Sequence, residues 1–129
     1  MFYADTSALV KLAVLEAETG ALRTWLATGQ SDLATSDLAR TELLRAVRRA
    51  APSAAGAARD VLSRIMLISA TAEILDDAAR LDPVELRSLD AVHLASALAL
   101  GDDLEGLITY DDRLGDAARA LGVPVLAPG

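Results

Sequence analysis

Asp5 stands directly behind an extended apolar run, Phe2-Tyr3-Ala4, and directly ahead of Thr6 and Ser7. A helix-periodic run follows through Leu9, Val10, Leu12 and Ala13. That pattern predicts a short buried strand, a carboxylate at its C-terminal tip and a hydroxyl-capped helix start. Asp111 repeats the arrangement, two residues behind Leu107-Ile108-Thr109 and ahead of a helical run from Arg113 to Leu121. Asp90 falls in the first turn of a helix predicted over 89–100 behind Ser88, where the helix dipole favours an anion. Glu42 lies deeper in a helix predicted from Ser36 or Asp37 to about Ala50. It joins the others only if that helix leans over the same crevice. Ligands of open parallel sheets collect outside the carboxyl ends of the strands. Each acid alone has an ordinary explanation: a cap, a dipole-compensating charge, or an ion pair of Glu42 with Arg45 or Arg49. Separate caps have no reason to converge on one sheet edge, so the set is read as a candidate site.

Carboxylates brought together raise one another's pKa unless a cation intervenes. All-oxygen ligation suits Mg2+ or Mn2+ and disfavours Zn2+. Such ions activate water and neutralise charge developing on a phosphoryl group, the chemistry of phosphodiester hydrolysis. The chain has one histidine, His93, and no cysteine, which excludes His-rich and thiolate metal sites. His93 stands three residues beyond Asp90 and is expected to pack or hydrogen-bond. There is no Gly-rich phosphate loop and no Gly-x-Ser-x-Gly elbow. An aspartyl phosphatase wants Asp-x-Asp at the first strand, and the position two beyond Asp5 is Ser7.

The elements that must carry these residues alternate. Strands are predicted at the N-terminus and around 33–35, 67–68, 107–109 and 123–126. Helices are predicted over 7–17, 21–27, about 37–50, 54–66, 72–81, 89–100 and 113–121. This is an α/β chain with a mostly parallel sheet of four to five strands, about seven helices and one domain over 1–129. Pro124 puts the last strand at an edge. A length of 129 residues and 53% hydrophobic content suit a globular domain. No apolar run reaches membrane-spanning length, and the N-terminus lacks signal-peptide features. With the absence of cysteine, a cytoplasmic protein is expected. Net charge is −7, which argues against a nucleic-acid partner. The stretch from Arg40 to Arg64 is nevertheless +4, leaving −11 elsewhere. Arg40, Arg45, Arg48 and Arg49 are therefore candidate phosphate contacts.

Four pieces together resemble the PIN-domain ribonucleases, and among them the VapC-type toxins of toxin–antitoxin pairs. They are Tyr3-Ala-Asp-Thr-Ser-Ala-Leu9, Arg40-Thr-Glu-Leu-Leu-Arg-Ala46, Leu89-Asp-Ala-Val-His-Leu-Ala-Ser-Ala97, and Ile108-Thr-Tyr-Asp-Asp-Arg-Leu114 with Gly122-Val-Pro-Val125. The resemblance covers nearly the whole chain. It implies a PIN-like fold and endonucleolytic RNA cleavage by metal-activated water. It also implies that Asp5, Glu42, Asp90 and Asp111 hold Mg2+ or Mn2+, with Thr6, Ser7 and Thr109 as supporting hydroxyls. The family's spacing selects Asp111 as the fourth acid, with Asp112 as its near-duplicate. A cognate antitoxin and a homodimer, or a heterotetramer with antitoxin, are implied as well. Leu12, Leu15, Leu22, Trp25 and Leu26 are the expected docking surface. The alternatives are a PIN-like module that binds RNA or protein without cutting and, further off, the aspartyl phosphatase.

Overall fold

Alternation along very short strands decides the layers. The computed structural model describes residues 1–29 and 31–129. Its five strands are β1 (Phe2–Ala4), β2 (Leu33–Ser36), β3 (Met66–Ile68), β4 (Gly106–Ile108) and β5 (Val125–Leu126). All pair in parallel, in the order β3-β2-β1-β4-β5. Seven α-helices connect them among the described residues: α1 (Thr6–Ala13), α2 (Thr19–Thr28), α3 (Ala39–Ala50), α4 (Ala55–Ser63), α5 (Ala72–Ala79), α6 (Ser88–Leu98) and α7 (Asp112–Ala120). The expected α/β architecture is therefore observed, with every strand pairing parallel.

Tyr3 lies in register with Ala34 on one side and Leu107 on the other. These three point to one face and pack with Leu94 and Ala97 of α6 and Leu114, Ala117 and Ala118 of α7. Ala4 and Ile108, paired one residue on, point to the opposite face. There they meet Ala8 and Leu9 of α1, Leu22 of α2, Leu43 and Val47 of α3, and Ala58 of α4. Helices thus cover both faces, as an all-parallel sheet requires.

Several boundaries depart from the sequence reading. The first helix stops at Ala13 instead of running to 17. The buried Thr19 hydroxyl donates to the Lys11 carbonyl at 2.7 Å and lies 3.2 Å from that of Val14, which ends the ladder there. Met66, read as helical, joins β3 opposite Ala34. Neither Ser36 nor Asp37 caps α3, since Ser36 is spent in β2; Ser88 is already the first residue of α6. At the far end, α7 closes as expected at Gly122. Its φ of +79° lets the Gly122 and Val123 N–H groups bond back to Arg119 and Ala118.

The expected docking surface is also revised. Leu22 is 1% exposed and belongs to the core. Leu12, Trp25 and Leu26 pack on the same cluster, with Trp25 set edge-on against Phe2 at 4.8 Å. Only Leu15 of the five stands clear, at 82% exposure. No helix is long and apolar enough to cross a membrane, among the described residues.

Candidate active site

The sheet order reverses its direction of growth between β1 and β4. From β1 the chain proceeds outward to β2 and β3, whereas β4 leads to β5 on the other side. The crevice at such a switch point is where α/β sheets bind ligands. Asp5 leaves the tip of β1, and Asp111 stands three residues beyond β4.

Asp5 is buried, and both its oxygens are engaged. Oδ1 accepts from the Ser7 hydroxyl at 2.6 Å and from the Ala8 N–H at 3.2 Å; Oδ2 accepts from the Thr109 hydroxyl at 2.7 Å. Asp5 is therefore itself the cap of α1, which corrects the assignment of that task to Thr6 and Ser7. The same hydroxyls reach across to the neighbouring strand. Ser7 Oγ accepts from the Tyr110 N–H at 2.9 Å, and Thr109 Oγ1 accepts from the Asp111 N–H at 3.0 Å. Two hydroxyls thus stitch the tip of β1 to the tip of β4. Burial pushes the Asp5 carboxyl above its ordinary pKa, and these hydrogen bonds oppose the rise without cancelling it.

Asp111 caps α7, its Oδ1 accepting from the N–H groups of Arg113 (2.9 Å) and Leu114 (3.1 Å). Its duplicate Asp112 is exposed on the first turn of α7. Asp90 occupies the first turn of α6 as expected. Glu42, expected mid-helix, is in the first turn of α3, because that helix begins only at Ala39. It enters the crevice on the same ground as Asp90.

Glu42 bonds neither Arg45 nor Arg49. Its Oε1 lies 2.7 Å from Nε2 of His93, whose Nδ1 lies 2.7 Å from the Tyr3 hydroxyl. Thr6 Oγ1 stands 3.4 Å from the same Nε2. His93, expected to pack or hydrogen-bond, is buried and does both, whereas Tyr3 is a functional-site neighbour that residue spacing did not single out. The signal available was His93 three residues beyond Asp90, on the helix face that turns inward.

Electrostatics ties the four acids together. The Asp90 carboxyl is raised above its ordinary pKa first by burial, then by the charges of Asp111 and Asp5, with Glu42 adding to the rise and His93 opposing it. Among the described residues, no Lys or Arg forms an ion pair with any of the four.

As the side chains lie, no three acidic or histidine residues among those described stand close enough to hold a metal ion. The donor set nonetheless fits a hard divalent cation in kind. It is all carboxylate, no Lys or Arg pairs with it among the described residues, and burial disfavours the ionised forms of Asp5 and Asp90.

Arg40, Arg45, Arg48 and Arg49 are all exposed on α3. Arg40 faces Arg59 of α4 across a cleft of about 290 Å³ with Leu44, Leu62 and Ser63. It also borders a hollow of about 540 Å³ with Asp37, Leu38, Thr41, Leu67 and Ser69. Arg59 lies within the basic stretch outside the four candidate contacts, because the approach of α4 to α3 that brings it opposite Arg40 leaves no mark in one dimension.

Comparison with known proteins adds the family. The PIN domain description matches residues 2–120. Ribonuclease VapC46 of Mycobacterium tuberculosis is 49% identical over 126 residues, spanning 98% of this chain and 96% of that protein. Ribonuclease VapC47 of the same species is 43% identical over 134 residues, spanning 100% and 98%. Among solved structures, Mycobacterium tuberculosis VapC20, a Sarcin-Ricin loop cleaving toxin, matches with a TM-score of 0.74 and 19% identity. The match covers 91% of this chain and 95% of that one, a likeness of fold.

Proposed function

This chain belongs to the PIN-domain family, and on that premise we propose a toxin endoribonuclease that hydrolyses RNA phosphodiester bonds with Mg2+ or Mn2+ held by Asp5, Glu42, Asp90 and Asp111. One observation carries the reading. Asp5 and Asp111 follow β1 and β4 on either side of the switch point, Asp90 and Glu42 lie in the first turns of α6 and α3, and the charges of Asp111, Asp5 and Glu42 all raise the pKa of the Asp90 carboxyl. Capping accounts for Asp5 and Asp111 one at a time, but like charges that raise one another's pKa oppose folding, so the set is read as a functional site.

When bound, a divalent cation lowers the pKa of a water and neutralises charge on the phosphoryl oxygens. The chain's own residues do the rest. Asp5 is immobilised by three donors, so its position is set before substrate arrives. Among the described residues, Asp90 takes no hydrogen bond on its carboxylate, and Asp111 and Glu42 each keep one oxygen without a hydrogen bond. Those oxygens are the available ligands. Thr109 and Ser7 hold Asp5 and the 109–111 backbone in one unit; Thr6 and Asp112 stand at its margin.

RNA is a polyanion, and an acidic protein must meet it through a basic face. The cleft between Arg40 and Arg59 supplies that face beside the first turn of α3, with Arg45, Arg48 and Arg49 further along the helix. A cognate antitoxin and a homodimer complete the proposal, with the exposed Leu15 as one point of attachment. The reading takes residues 1–129 as one domain.

Purified protein, a labelled single-stranded RNA and added Mg2+ or Mn2+ test it. Cleavage that disappears with EDTA, and with Asp5→Asn or Asp90→Asn in variants that still melt cooperatively, is the expected result. Undiminished cleavage in EDTA, or by either variant, overturns the site.

A further inference from the structure

Tyr3 is fully buried on the α6 face of β1, and its hydroxyl is satisfied twice. It accepts from the Ser36 N–H at 2.9 Å and lies 2.7 Å from His93 Nδ1. Since the Ser36 amide fills one acceptor position, the phenolic hydrogen is free to point at Nδ1. An imidazole that accepts at Nδ1 carries its hydrogen on Nε2. That nitrogen is 2.7 Å from Glu42 Oε1. With the Ser36 amide fixed as donor to Tyr3, one consistent order of donors runs on from Tyr3 to His93 and from His93 to the Glu42 carboxylate, which can only accept when ionised.

We infer that Tyr3 and His93 are positioning residues, a buried relay that fixes the histidine as its Nε2–H tautomer and grips one oxygen of Glu42 so that the other stays available to the cation. The inference rests on the reading of Glu42 as a ligand. Its logic is that of a metal site's outer partners, which orient a ligand without touching the ion. A purely structural tyrosine needs one partner for its hydroxyl and no particular tautomer beyond it. Here three elements, β1, β2 and α6, contribute to the aim of a side chain on a fourth, α3. Sequence places Tyr3 two residues before Asp5 and His93 three residues after Asp90, so the elements that deliver two ligands also deliver the grip on a third.

The single histidine makes the tautomer directly readable. In metal-free protein at neutral pH, ¹⁵N NMR of His93 is expected to show one Nε2–H tautomer, and Tyr3→Phe is expected to give a mixture. An Nδ1–H tautomer, or a mixture in the wild type, overturns the relay. Mn2+ titration of the same proteins supplies the second arm. His93→Asn keeps a group near Nδ1 but loses the donor to Glu42, and should weaken Mn2+ binding about 10–100-fold. His93→Gln, whose amide nitrogen falls near Nε2, should recover most of that loss. Equal effects of Asn and Gln, or wild-type affinity in His93→Asn, overturn the relay alone. If the wild type binds no Mn2+, the proposed function falls and the relay loses its role whatever the tautomer. Thermal melts of each variant separate these losses from unfolding.

Discussion

Asp90→Asn should make the metal-free protein more stable and the metal-loaded protein less so. Asp90 is partly exposed, yet burial and three neighbouring carboxylates all raise its pKa. Its charge is therefore a net cost to the folded state, even though the first turn of α6 offers it a favourable dipole. Discounted for solvent screening, removing that charge should stabilise by about 1 kcal/mol, or roughly 3–5 °C in Tm for a chain of this size. Mn2+ at about 100 times its Kd stabilises the wild type by about 2.7 kcal/mol, roughly 8–13 °C. If loss of one ligand weakens binding on the order of 100-fold, the same Mn2+ stabilises the variant by only about 0.4 kcal/mol. The two melting temperatures should thus exchange order between EDTA and Mn2+. The sign with pH follows from linkage. A carboxyl whose folded-state pKa is raised contributes stability below its unfolded pKa and loses it as pH rises through the folded value. The gap between variant and wild type in EDTA should therefore open above the ordinary carboxylate range and close in acid. Scanning fluorimetry against pH, with EDTA and with Mn2+, reads all three effects. A variant that melts below wild type in EDTA, or that keeps the full Mn2+ shift, refutes the reasoning.

Thr109→Val removes the donor to Asp5 Oδ2 and the acceptor of the Asp111 N–H, and should cost about 1–3 kcal/mol in a denaturant melt. Thr109→Ser, which keeps the hydroxyl, should lose much less. Arg40→Ala with Arg59→Ala, in an Asp90→Asn background expected not to cut, should lower the salt dependence of single-stranded RNA binding by about 1.4 in log–log slope. Arg119→Ala, whose guanidinium pairs with Asp116 on α7, should leave that slope unchanged in the same anisotropy titration. Gly106→Ala should destabilise by about 1–3 kcal/mol. A Cβ there meets Leu126 Cδ1 at 2.9 Å, the Pro124 carbonyl at 3.1 Å and Phe2 Cε1 at 3.2 Å, and thermal denaturation reads the loss.

The sequence by itself determined the α/β class, the five strand positions and three of the four acids as residues at strand tips or helix starts. These are local facts: apolar runs, their period and the polar residue that ends them. It left Glu42 undecided, because the start of α3 depends on Ser36 being used as a strand residue opposite Ile68 of β3, a non-local event. It divided capping and ligation between different residues, whereas Asp5 and Asp111, both proposed as ligands, cap their helices. A carboxylate has two oxygens, and only the fold shows where each one goes. The pairing of Arg40 with Arg59, the burial of Leu22 and the line from Tyr3 through His93 to Glu42 were likewise decided in three dimensions. Each joins side chains from elements far apart in the chain, and a hydrogen bond across 90 residues leaves no period to read.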